Sequence, residues 1–179
     1  MMDGVYPGLH QVASALDGED WLLVGGAMTQ LHCTLNDVGY GRSTEDVDVV
    51  VDPMNHSTLV GVAEAVSTAH TVRLPNVWAA LAMKGHALRL PDANRERHVQ
   101  DALALLACAD RTEAKRELTK SERAGVNKIL SSSYLSAVEN WMPLDQTHWG
   151  EALQEMRRLR PQGVIPVPPL LQTEMPLGR

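Results

Sequence analysis

Residues 41–52 read GRSTEDVDVVVD, and two acids at the mouth of a valine run decide how the rest of the chain is read. Val49, Val50 and Val51 are β-branched and Pro53 closes the run, so residues 45–52 are expected to form a strand. Positions i and i+2 of a strand share a face. Asp46 and Asp48 then stand side by side, their Cβ atoms roughly 6–7 Å apart, while Val47, Val49 and Val51 hold the strand in the core. Two neighbouring carboxylates repel unless a cation lies between them. Mg²⁺ suits the place, because it takes oxygen ligands and binds through one or two carboxylates plus substrate phosphates. The structural alternative is an edge strand with its acids in water. The valine run favours a central strand instead.

Upstream, WLLVGG (21–26) reads as a buried strand and a tight turn, and AMTQLHCTLNDV (27–38) as a helix. Gly25 and Gly26 permit a sharp turn and a close approach of backbone to ligand. The helix behind them presents N–H groups and a positive dipole end to a phosphate. A simple tight turn is the competing explanation. Neither a dinucleotide-binding G-x-G-x-x-G pattern nor a P-loop is present. Arg42 and Thr44 precede the acidic strand and are candidate nucleotide contacts. The planar fork of Arg42 suits a phosphate, or equally Glu45 or Asp46.

Helices are expected at 8–17 and 56–69, and a further strand at 70–74. Residues 1–75 thus read as an α/β core of order α-β-α-β-α-β. Residues 76–160 read as a helical region completing the cleft, with helices at 76–90, 95–110, 120–142 (one or two) and 145–160, the last capped by Asp145. The tail, 161–179, carries five of the ten prolines and is expected to be extended or disordered. Within 76–90, Val77, Leu81, Lys84 and Leu88 fall on one helical stripe. A lysine there needs a partner, or faces a cleft that holds an anion. Asp101 opens the apolar run Ala102–Ala109, which should be buried nearly all round. Lys84 and Asp101 either form a structural ion pair between two helices, or Asp101 orients Lys84 or binds a metal–nucleotide complex.

A length of 179 residues fits one domain, or a core with a small appendage. Without phenylalanine and with 4% aromatic residues, Leu, Val, Ala and Met must fill the core. The opening MMDGVYPGLHQ lacks the basic and apolar regions of a secretory signal, and no apolar run reaches membrane-spanning length, so a cytoplasmic location is expected. Cys33 and Cys108 form no C-x-x-C pair, and the seven histidines fall into no zinc-binding spacing. Residues 1–75 hold ten acids against two bases, whereas residues 76–128 hold ten bases against seven acids. Solvated surface explains that asymmetry as well as an acidic cation site facing a basic phosphate site does.

Four segments together, LVGGAMTQLH, GRSTEDVDVVVD, ALAMKGHAL and RHVQDALALL, resemble the nucleotidyltransferase superfamily with a polymerase-β-like palm. The resemblance is to the abortive-infection AbiEii branch that includes the MenT toxins, and it spans roughly residues 20–110. It implies an α+β fold: a small mixed sheet with flanking helices, followed by a helical C-terminal region. It implies that Gly25 and Gly26 cradle a nucleoside triphosphate, that Asp46 and Asp48 bind Mg²⁺, that Lys84 contacts phosphate, and that Asp101 completes the catalytic set. The reaction implied is transfer of a nucleotide from an NTP to an acceptor such as a tRNA 3′ end or a protein, in a toxin–antitoxin or phage-defence setting with a cognate antitoxin as partner. Two departures stand out. No third carboxylate is visible on a later strand, since HTVRL holds no acid and Asp52 lies at the far end of its strand, so the chain reads as internally shortened. His98 occupies the place of the first of two helical aspartates. The alternative is a relative impaired in catalysis that binds nucleotide or a protein partner.

Overall fold

A computed structural model describes residues 7–17, 19–40, 44, 46–51, 62–66, 71–91, 94–109, 118–131, 148, 150–152 and 154–155. The fold is mixed α/β. Its elements are α1 (Pro7–Ala15), β1 (Trp21–Val24), α2 (Gly25–Leu35), β2 (Asp48–Val51), β3 (Val62–Val66), β4 (Thr71–Pro75), α3 (Val77–Ala87), α4 (Arg95–Ala109) and α5 (Lys120–Leu130). Residues 148, 150–152 and 154–155 are also helical. Arg42, Asp52, Asp145 and the proline-rich tail lie outside the described residues.

Both ladders among the described residues are antiparallel, where a mixed sheet was expected. β1 pairs with β2 from Trp21↔Val51 to Val24↔Asp48, and β3 pairs with β4 from Val62↔Pro75 to Val66↔Thr71. Among the described residues these are two separate two-stranded sheets, with β4 packed near β1, and β2 is paired on one side with Asp48 exposed, where a central strand was expected.

The expected strand 45–52 is shorter than its valines suggest. β1 has only four residues before the chain turns at Gly25, so the ladder ends at Asp48 and Asp46 lies ahead of it. Val47 and Val49 pack on the core, but Val51, at the far end opposite Trp21, is 49% exposed and does not help to hold the strand. Residues 62–66, expected within a helix, form β3. VAEAV is too short an apolar segment for periodicity to separate strand from helix, and pairing with TVRLP selects the strand. A hairpin thus stands where one helix and one strand were expected.

The helices follow their local signals more closely. Pro7 occupies the first turn of α1, where its missing N–H costs nothing. The Asn76 side chain caps α3 by accepting from Ala79 N at 2.8 Å. Thr119 and Glu122 form a reciprocal capping box on α5. α2 ends in a Schellman turn, with Val38 N donating to Cys33 O at 2.8 Å and Asp37 in the left-handed region at φ 54°. The expected stripe is buried in full, Lys84 included, and α4 is buried at every position from Asp101 to Ala109.

One apolar cluster runs through α2, β1, β4, α3, α4 and α5, on both sides of residue 75. α3 crosses α5 at Gly85 and Gly125. A Cβ on Gly125 would come within 2.5 Å of the Ala82 carbonyl oxygen, and one on Gly85 would overlap the Gly125 peptide. The crossing fixes α3, and with it Lys84, against the rest of the core.

Candidate functional site

The antiparallel register brings the first two parts of the site together. β1 ends at Val24 opposite Asp48, and the next residue, Gly25, turns at φ +70° into α2. The Asp48 side chain lies over this turn so closely that a Cβ on Gly25 would overlap the carboxylate. Glycine is thus needed at position 25 for its backbone angle and for space. Val24 makes no side-chain cap for α2, so that helix end relies on other acceptors for its first N–H groups. Gly26 is buried in the first turn. Asp48 is exposed at the helix end, where a negative charge is favoured.

α3 and α4 supply the other half. Lys84 Nζ donates to Asp101 Oδ2 at 2.6 Å and to the Gly25 carbonyl oxygen at 2.7 Å. Lys84 is 4% exposed and Asp101 2% exposed. The loss of hydration on burying two charges is large and is offset only when further hydrogen bonds engage the remaining lone pairs. Those bonds are present: Tyr40 Oη donates to Asp101 Oδ1 at 2.7 Å, and Thr29 Oγ1 donates to Gly25 O at 3.3 Å. The ion pair that the sequence allowed between two helices is formed, and it reaches the glycine turn.

Gly25, Gly26, Asp48, Lys84 and Asp101 therefore converge. Asp46 is exposed and precedes β2, and its carbonyl accepts from Thr44 Oγ1 at 3.4 Å, so Thr44 shapes the approach to the strand. No group of three or more His, Cys, Asp or Glu side chains able to hold a metal ion occurs among the described residues. Glu64, an acid missed on a later strand because that segment read as helical, pairs in register with Arg73 on β4. His86 faces Ser121 across the α3–α5 seam at 3.4 Å, and His98 is half-buried on α4.

Tyr40 is the residue that sequence reasoning missed. Its signal was a lone aromatic between Gly39 and Gly41, because a buried tyrosine hydroxyl needs a polar partner. The peptide N–H of Gly39 donates to His148 Nδ1 at 3.4 Å, tying this loop to the C-terminal helical residues.

Two buried groups flank the site. Cys108 Sγ lies 3.9 Å from Cys33 Sγ. Their hydrogen bond, then burial and the nearby negative charges, hold the Cys33 thiol far above the ordinary thiol range, which makes it unreactive. His32 Nε2 donates to the Pro75 carbonyl at 2.9 Å, and burial lowers its pKa despite that bond. No helix among the described residues is long and apolar enough to cross a membrane. Compared with family models, curated proteins and solved structures, the chain matches none.

Proposed function

We propose that this chain is a nucleotidyltransferase-like protein that binds a nucleoside triphosphate at the Gly25 turn and transfers its nucleotide to an acceptor, with tRNA and protein as the acceptor classes. The observation that carries the reading is the convergence of the Gly25 turn, Asp48 and the Lys84–Asp101 pair, with Lys84 bonded to groups 59 positions before it and 17 after it. A helix end without a side-chain cap, a glycine turn and a nearby ammonium are together suited to a polyphosphate. The exposed carboxylates of Asp46 and Asp48 fit a Mg²⁺ ion that completes its shell with water and phosphate oxygens. When bound, such an ion neutralises phosphate charge. In this chain Gly25 and Gly26 would admit the phosphates to the backbone, Asp101 would orient Lys84, and Lys84 would supply positive charge beside the turn.

A second reading keeps nucleotide binding and drops turnover. It is favoured by the lack of a three-ligand metal cluster among the described residues. One experiment addresses both. Each labelled NTP is incubated with Mg²⁺, total tRNA and the protein, and thermal stability is followed in parallel. Transfer of label by wild type and its loss in Asp48→Ala supports the enzyme. A thermal shift without label transfer supports the binder. Equal labelling by wild type and variant, or neither label nor shift, sinks the proposal.

A further inference from the structure

Tyr40 touches the buried ion pair from a side that none of the assigned residues occupies. An aspartate carboxylate rotates easily about its terminal torsion. A carboxylate held at one oxygen can turn while keeping that contact, and Lys84 holds Asp101 at Oδ2. A second donor on Oδ1, from a different segment, removes this freedom. The lysine stem is also flexible, so the place of its ammonium depends on where its acceptors are held. We infer that Tyr40 is a positioning residue: its hydroxyl fixes the rotation of the Asp101 carboxylate and so keeps the Lys84 ammonium at the Gly25 carbonyl, at the mouth of the turn.

Tyr40 is itself well held. The Schellman turn at Asp37–Val38 sets the direction in which the chain leaves α2, and the Gly39–His148 bond fastens the residue before Tyr40. α2 therefore reaches the ion pair twice, through the Gly25 carbonyl at its start and through Tyr40 beyond its end. A shift of α2 is felt at both oxygens of Asp101 and at Lys84 together. The placement of Lys84 is a property of the unliganded protein. Only its consequence for nucleotide binding rests on the proposed function.

The test compares full-length wild type with Tyr40→Phe, which deletes one oxygen. The protein is acetylated under native conditions with an N-hydroxysuccinimide ester, and labelling at Lys84, one of four lysines, is quantified by mass spectrometry. Backbone hydrogen exchange of α3 and α4 is followed in parallel. The variant is expected to label Lys84 about ten-fold faster, the equivalent of one lost hydrogen bond to a charged group, with backbone exchange changed less than about two-fold. Unchanged labelling overturns the inference. So does faster labelling matched by equally faster backbone exchange, which is what a merely structural tyrosine would give. If Tyr40→Phe does not fold, the wild-type protein decides by NMR: a slowly exchanging Tyr40 hydroxyl proton supports the inference and a rapidly exchanging one overturns it. Titration with each NTP and Mg²⁺ is read separately. No thermal shift in wild type removes the functional reading and leaves the labelling result to stand. Where wild type does shift, Tyr40→Phe is expected to bind about ten-fold more weakly, and equal affinity overturns the link between Tyr40 and the ligand.

Discussion

Gly25 and Gly85 are both places where a side chain does not fit, and they differ in what fills the space. At Gly85 the neighbour is the Gly125 peptide, rigid backbone at the crossing of two helices. At Gly25 the neighbour is the Asp48 carboxylate, the free end of an exposed side chain, and the backbone sits at a positive φ. The seam is made of contacts that cannot move without separating α3 from α5. The turn combines a backbone angle that glycine adopts without strain with a charged group whose carboxylate oxygens can move. The turn presents an exposed charge beside open backbone N–H groups, whereas the seam is rigid backbone that fixes a scaffold.

The largest effect is expected at the seam. Gly85→Ala or Gly125→Ala forces the helices apart and should cost about 3 kcal/mol, at the upper end for overpacking, seen as a lower urea midpoint. Gly25→Ala should cost less, about 1–2 kcal/mol for the left-handed backbone angle, since the Asp48 carboxylate oxygen can rotate away, although the Asp48 Cβ, 2.9 Å from the new methyl, must also give. Yet it should abolish the NTP-dependent thermal shift, which a seam variant that still folds should keep. A Gly25→Ala protein with full nucleotide binding would break the contrast between scaffold and site.

The next effect concerns the hydrogen bond from His32 of α2 to Pro75 at the end of β4. His32 is held neutral, with a pKa below its ordinary 6.5, first because of burial. Between that folded-state value and 6.5 the unfolded chain binds more protons than the folded one, so stability rises with pH across this window. Urea midpoints should therefore be flat above about pH 7 and fall as the pH drops below 6.5. His32→Gln should flatten that part of the profile, and an unaltered slope would assign the acid sensitivity elsewhere. The smallest effect is a gain: Asp37→Gly relieves a left-handed non-glycine residue and should stabilise by about 0.5–1 kcal/mol, again by urea midpoint. An accompanying change in Lys84 labelling would show that the end of α2 and the ion pair are coupled.

The helical half was well legible in the sequence. The stripe Val77, Leu81, Lys84 and Leu88 and the apolar run after Asp101 carry a period that survives any register, and their burial follows from it. The strands were less legible. Four valines and alanines around Glu64 suit either element until a partner strand is present, and the end of β2 is set by the length of β1 rather than by its own residues. At the site, Asp48, Lys84 and Asp101 were visible because charge beside apolar runs needs an explanation. Asp46 was placed on the strand by pattern and lies just ahead of it. Tyr40 was hidden because its role depends on a fold-back after α2 that no local pattern encodes.

The ion pair has a history within each molecule as well as a geometry. Lys84 meets a carbonyl 59 positions earlier, Tyr40 an acid 61 positions later, and Gly39 a histidine 109 positions later. A ribosome adding about 5–20 residues per second delivers Asp46 and Asp48 roughly 2–8 seconds before Lys84. For that interval the growing chain carries its acids without the ammonium that later stands beside the Gly25 turn. Of these three contacts the Gly39–His148 bond is the last whose partners are both synthesised, so a chain halted before residue 148 would lack it while already carrying Lys84, Tyr40 and Asp101.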